Sequence, residues 1–375
     1  MFDFFKKCTK KHLLYYSLTI VFVLSTIIFV NNNHSFYERP IAKVIHINLV
    51  DSIEIIDIHD NQDQLFTQHL IGILKNGEQE GQLIKLTNEY SASGANDHKY
   101  KRGHELFVSI DSNSFKESEL TGTITDVKRD KHVLIIAWIF ILTLLMVGKK
   151  QGLLSIISLV MNAFILSYAL DTYIHTPNIP LLLICSISAI LFTVLSLLLV
   201  NGFNEKTYAA VIATLLGTFT SLGITYLSLS LSSEMGLRYE GMQFLTRAPQ
   251  VVFMAGVLVG SLGAVMDVAI TMSSSIFGLY ERDPNISVGA LKKSGLDIGR
   301  DIMGTMTNIL FFVYISGSIP MLILYLKNAS PLGFTLSINL TLELARALAG
   351  GIGIVLTIPI GLFTAIYFIN QKRER

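Results

Sequence analysis

The stretch GSLGAVMDVAITMSSS, residues 260–275, sets one carboxylate, Asp267, among apolar and small residues. A carboxylate in such a place can carry a proton, bind a cation or pair with an arginine, and each use requires that it not face lipid. Steps of three and four residues put Gly256, Gly260, Gly263, Asp267, Thr271 and Ser274 on one helical face, with Val257, Leu258, Leu262 and Val265 elsewhere. Small faces are where membrane helices approach closely, so Asp267 is expected to point at a neighbouring helix or an internal cavity.

The last apolar stretch repeats the arrangement with Glu343, Arg346, Ala347, Gly350, Gly353, Thr357 and Gly361, and residues 209–225 do so more mildly with Ala210, Ala213, Gly217 and Ser221. Gly256, Gly260, Gly263, Gly350 and Gly353 are the expected helix-packing positions. At 1.5 Å per residue, Asp267 lies about 24 Å below the outer end of its helix, Glu343 about 10 Å and Arg346 about 15 Å. Two readings follow: an Asp267–Arg346 pair that pins two helices, or a proton or cation site at Asp267. Thr305 and Asn308 stand near the depth of Asp267 from the inner side. Asp267, Thr271, Ser274, Thr305, Asn308, Glu343 and Arg346 are therefore the candidate substrate- or ion-binding residues.

Before them, SVGALKKSGLDIGRDIMGTMTN spaces Val288, Leu291, Gly295, Ile298 and Ile302 at helical intervals, with Lys292, Lys293, Asp297, Arg300 and Asp301 on other faces. This predicts an amphipathic helix near residues 287–302 at the inner membrane surface, capped by Ser287. Arg300 and Asp301 stand where it enters the membrane, as anchors or as an inner gate.

Other chemistries find less support. A Ser/His hydrolase within the membrane needs a buried histidine, and His12, His132 and His175 lie at helix ends. An aspartyl pair needs two adjacent carboxylates, and the depth of Glu343 argues against it as the partner of Asp267. Cys8 and Cys185 form neither a disulfide framework nor a metal site, and DIHDNQD (Asp57, His59, Asp60, Asp63) matches no recognised zinc or calcium loop. The expectation is a non-enzyme with no metal and no cofactor.

The elements that must position these residues follow from composition. Of 375 residues 51% are hydrophobic and 15% charged, too apolar for an ordinary soluble domain, while a net charge of +1 suggests no nucleic-acid partner. Windows long enough for about 30 Å of hydrocarbon fall at 13–30, 132–148, 152–170, 180–200, 208–231, 250–275, 303–326 and 337–369, which predicts eight spans. The first, without a small-x-small cleavage site, reads as an uncleaved anchor. With both termini inside, the inner side collects Lys149, Lys150, Lys292, Lys293 and the basic residues of both ends. The short outer loops keep Arg238, Arg247 and Lys327.

Three regions result: residues 1–30 as basic N-terminus and anchor, 31–131 as an extracytoplasmic domain, and 132–375 as a seven-helix membrane domain. The outer domain carries 16 acidic and 11 basic residues. Strand-like alternation in KVIHINLV, DSIEIIDIHD and HELFVSI predicts a small β-barrel or sandwich.

GAVMDVAITMSSS followed by SGLDIGRDIMGTMTN, after an anchor and an outer domain of this size, resembles the YibE/F family of bacterial multi-pass membrane proteins. The resemblance covers residues 130–370 and extends into the outer domain through GEQEGQLIKLTNEY and KRGHELFV. It implies a bacterial plasma-membrane location and brings no catalytic or ligand residue with it. The sequence thus reads as an integral membrane protein that moves an ion or small solute through Asp267. The alternative is a non-transporting module whose outer domain binds an envelope partner. Its surroundings are expected to be the bilayer and either a second copy or a partner membrane protein.

Overall fold

The computed structural model describes residues 10–94, 97–111, 120–176, 179–232, 237–242 and 248–374. Cys8, Lys6, Lys7, Arg247 and Arg375 lie outside them. The chain divides into two compact units, residues 1–143 and 144–375.

In the first unit, helix α1 (Lys10–Asn31) precedes strands β1 (Ile41–Ile56), β2 (Gln62–Leu74), β3 (Leu83–Ser91), β4 (Glu105–Ile110) and β5 (Leu120–Val127). The strands pair in the ring β1-β2-β3-β5-β4, with β4 returning to β1 through Ile41–Phe107, Ala42–Leu106 and Lys43–Glu105. Only β3 and β5 run parallel. Alternate residues fill the ring with Ala42, Val44, Leu70, Leu74, Ile84, Leu86, Leu106, Val108 and Leu120. Gly122 allows β5 to approach β4, since a Cβ there would stand 2.5 Å from the Ser109 carbonyl oxygen.

Where this β domain joins its helices, polar groups converge. Lys128, its side chain 3% exposed, lies 3.4 Å from both Glu105 and Asp130 and donates to the Val30 carbonyl at 3.0 Å. Tyr37 donates its hydroxyl to Asp130, Asn33 reaches the same carboxylate at 3.3 Å, and His34 lies 3.1 Å from Glu105. The hydrogen bond to Asp130, followed by burial, raises the Tyr37 pKa. Beyond the seam, Trp138 in the first turns of α2 (Asp130–His175) donates to Thr26 of α1 at 2.9 Å.

On the barrel, burial followed by the charges of Lys101 and His132 holds the His104 imidazole below its ordinary value. The unfolded chain then takes up this proton at a higher pH than the folded chain. The contribution to stability is present above the ordinary histidine value, about 6.5, and is lost as pH falls from there through the folded value. His104→Gln should flatten the loss of β-domain stability between about pH 7 and 5, read by hydrogen exchange of the strand amides in the full-length protein.

The second unit is helical: the remainder of α2, then α3 (Leu181–Asn201), α4 (Glu205–Leu231), α5 (Pro249–Arg282), α6 (Val288–Ser316), α7 (Ile319–Lys327) and α8 (Leu332–Glu374). The Asn204 side chain caps α4 by accepting from Thr207 N at 3.0 Å, and Ser287 caps α6 by accepting from Ala290 N at 3.2 Å. Among the described residues, five helices are long and apolar enough to cross a membrane, six when α6 and α7, bent by 49° at Gly317, count as one span. The first expected window, 13–30, falls on α1, and the windows 132–148 and 152–170 fall on the single 46-residue helix α2.

That helix is not straight. Lys149 adopts φ 49° and ψ −120°, and a Cβ on Gly152 would stand 2.2 Å from the Leu144 carbonyl oxygen. Eight residues of straight helix span about 12 Å, so the chain turns back on itself here.

The amphipathic segment forms the first half of the continuous 29-residue helix α6, and its apolar side packs on α8. The cause is a pair of glycines: a Cβ on Gly295 would meet Leu362 at 2.5 Å, and one on Gly299 would meet Ile358 at 2.3 Å.

Helix α8 is the hub. Its Gly350 admits Leu310 of α6, Gly353 admits Val265 of α5, and Gly361 receives Met272 of α5. In the other direction, Thr357 of α8 enters at Gly217 of α4, where a Cβ would stand 2.0 Å from its Oγ1. Gly217→Ala should therefore lower the thermal stability of the purified protein, with an overpacking cost of about 1–3 kcal/mol. Thr357→Ala in the same chain should recover most of it, because the blocking atom belongs to that side chain.

Candidate functional site

Helix α5 turns its bulky side inward. Phe253, Val257, Leu258, Leu262, Val265, Val268, Ala269, Met272 and Ile276 are buried, while Gly260, Gly263 and Asp267 are exposed and Gly256, Thr271 and Ser274 half-buried. The small-residue face, expected to be the packed one, meets neighbouring helices at Gly256 and Gly260 and is open at Gly263 and Asp267. The receiving glycines lie on α8 and α4, and α5 presents its large side chains to them. A Cβ on Gly263 would meet nothing within 4 Å, whereas those on Gly256 and Gly260 would meet Arg346 at 3.6 Å and the Tyr314 hydroxyl at 2.1 Å.

Arg346 does not reach Asp267. It pairs with Glu343 one turn away on α8 and lies over the Phe253 ring, 5.4 Å from its centroid. This cluster sits at the level of Gly256, about 16 Å along α5 from Asp267. Glu343 and Arg346 thus form a pair of their own and leave the candidate set around Asp267, which has no ion pair or hydrogen bond among the described residues.

The surroundings of Asp267 come from α6. Gly260 meets Tyr314 and Gly295 meets Ile276, and this antiparallel register puts Asp267 level with residues 304–307. Gly304, Thr305 and Asn308 are all exposed there, and a Cβ on Gly304 would meet nothing within 4 Å. On the α5 side, Thr271 and Ser274 continue the face inward. Five of the seven binding candidates therefore share one outward-facing strip along α5 and α6.

Toward the inner end of α6, Arg300 pairs with Asp297 at 3.2 Å on its own exposed face. Asp301 is exposed and has no ion pair or hydrogen bond among the described residues. Both residues are exposed, and among the described residues neither has an ion pair or hydrogen bond to another helix that would close a gate. Gly217, Gly295 and Gly299, where a Cβ would stand 2.0, 2.5 and 2.3 Å from a neighbouring helix, were missed as packing positions, whereas Gly260, 2.1 Å from the Tyr314 hydroxyl, was expected as one. Gly217 did stand in the expected small face of its helix.

No group of three or more His, Cys, Asp or Glu residues able to hold a metal ion occurs among the described residues. In the outer domain, Asp57 accepts from His59 N at 2.8 Å and from Asn61 N at 2.9 Å, so its carboxylate builds the turn. Asn61, through side chain and then backbone, holds the Asp57 pKa below its usual value, and Ser93 first among several donors does the same for Asp63.

A set of five to six apolar helices joined to a small N-terminal β domain defines a multi-helix membrane protein. The chain belongs to the YibE/F family: residues 136–371 match the YibE/F-like protein model and residues 35–127 the YibE/F family N-terminal domain. Neither the curated proteins nor the solved structures provide a match.

Proposed function

We propose that the protein is an eight-span bacterial plasma-membrane transporter or permease for an ion or small solute, with Asp267 as its coupling or binding carboxylate. The observation that carries this reading is an unpaired carboxylate on an exposed, glycine-opened strip shared by α5 and α6, deep in apolar sequence. An ionisable group at such depth is costly in lipid and belongs beside water or a polar partner. Thr271, Ser274, Thr305 and Asn308 supply neutral oxygen and amide groups along the same strip, and Asp301 would meet a cation arriving from the inner side. No catalytic group is assigned.

The eight-span topology rests on the reversal at Lys149, which separates two spans within α2, and on α1 as the anchor. Both termini are then cytoplasmic and residues 31–131 extracytoplasmic, the latter forming the barrel-like domain. A strip of this polarity is not stable against lipid tails, so a second copy or a partner membrane protein completes the pathway wall. Cysteine scanning tests this part directly in a chain whose Cys8 and Cys185 are replaced by serine. Cysteines at 267 and 305 should react with a charged, water-soluble maleimide, while one at Val355, exposed on α8 near the level of Asp267, should not. Equal inertness at all three would contradict a wet pathway.

The alternative reading, a module whose outer domain binds an envelope partner, is favoured by a separate feature of that domain.

A further inference from the structure

Strand β1 is far longer than the barrel needs. Its 16 residues span about 50 Å, yet only Ile41, Ala42 and Val44 are buried, and every residue from Val50 to Ile56 is exposed. On one side β1 pairs with β2 along its whole length, from Ala42–Leu74 to Ile56–Gln62. On the other it meets β4 only from Ile41 to Lys43, and backbone bonds to the neighbouring loop end at Val44. From His46 to Ile56 its second edge therefore has no strand partner among the described residues. This half also bears apolar side chains with no core beneath them: Leu49 is 59% exposed, Ile53 56%, and Ile58 in the turn 94%.

A long apolar edge is a template for a further strand. We infer that the distal edge of β1, His46–Ile56, takes up an extended, basic and apolar segment of a partner protein as an added β-strand. The charge pattern selects the occupant. Asp51, Glu54, Asp57, Asp60 and Asp63 lie along this hairpin with no lysine or arginine from Val44 to Leu74. A second copy of β1 would bring carboxylates against carboxylates, which disfavours self-pairing. Ile53 and Ile55 share one face with Asp51, and across the bulge Leu49 shares the other with Glu54, so a strand alternating β-branched residues with lysine or arginine sets its apolar side chains beside Ile53 and Ile55 and its cations beside Glu54, with Asp51 at the edge of the apolar row. Main-chain bonds then supply affinity and the charges supply selection.

The test uses the full-length protein in nanodiscs of zwitterionic lipid. Three fluorescent decapeptides serve as probes: one alternating valine and lysine, one with glutamate for lysine, and one Val/Lys peptide with alternate amide nitrogens methylated. Fluorescence anisotropy should show saturable binding of the first alone. Methylation, which keeps every charge and removes strand pairing, should weaken it about tenfold or more. Asp51→Lys with Glu54→Lys, both fully on the surface, should transfer the preference to the glutamate peptide. Equal binding of the methylated peptide would overturn strand addition, and so would absence of saturable binding. Spontaneous disulfide formation between copies at Ser52→Cys, with Cys8 and Cys185 replaced by serine, would overturn the choice of a heterologous partner.

Discussion

Replacing Asp267 by asparagine should reduce ion or solute flux at least about tenfold, while the protein still purifies, folds and inserts. The expected separation of activity from stability comes from the geometry. Asp267 has no ion pair or hydrogen bond among the described residues, so the substitution orphans no partner, and the side chain is exposed on α5, so no packing is lost. Asparagine has nearly the same shape but neither titrates nor carries charge. A purely structural role predicts the opposite pattern, unchanged flux with altered thermal stability. Thr305→Val provides a milder companion: it removes one hydroxyl at the same level and should weaken binding by several-fold, since a single neutral hydrogen bond contributes about 1 kcal/mol. Glu343→Gln acts on a different pair, about 16 Å away along the helices, and should affect stability more than flux.

Lys128→Ala should be the most destabilising single change in the outer domain. Its ammonium lies between Glu105 and Asp130 and donates to Val30 at the end of α1, with the side chain 3% exposed. Removal leaves two carboxylates facing each other across a largely desolvated gap, a loss of about 3 kcal/mol. Lys128→Met, which retains the stem but not the charge, should lose nearly as much, which distinguishes electrostatics from packing. Glu105→Gln together with Lys128→Met should recover part of the loss, because one of the stranded charges is then gone. Hydrogen exchange at β4 and β5 in the full-length protein reads all three variants. Equal protection in wild type and Lys128→Ala would show that the seam is solvated and the pair idle.

The helices and their order are legible in the sequence because each apolar window is long, and every window falls on a helix of the structure. Periodicity correctly grouped Gly256, Gly260, Gly263, Asp267, Thr271 and Ser274 on one face, yet it could not say which face is covered. That depends on the partners: α8 offers glycines at 350, 353 and 361, so it receives side chains such as Val265 and Met272, and the small face of α5 is left open at Gly263 and Asp267. Depth alone also brought Arg346 toward Asp267, whereas the arginine is satisfied by Glu343 and Phe253 at a shallower level. In the outer domain, alternation marked KVIHINLV and DSIEIIDIHD as strand-like, and both run into the single strand β1, which ends at Ile56. Beyond Ile47 β1 leaves the core, because β4 is six residues long and pairs with it only from Ile41 to Lys43. Edge exposure is a property of the neighbouring strand and leaves no mark on the strand itself.

The central claim is that Asp267 handles a charge crossing the membrane. Purified protein in liposomes adsorbed to a supported membrane, challenged with jumps of protons, alkali and divalent cations, reports charge movement directly. The account predicts a transient current for one of these ions that disappears in Asp267→Asn and persists in Gly217→Ala rescued by Thr357→Ala. A current of the same size in Asp267→Asn, from protein shown to be folded and inserted, would contradict it.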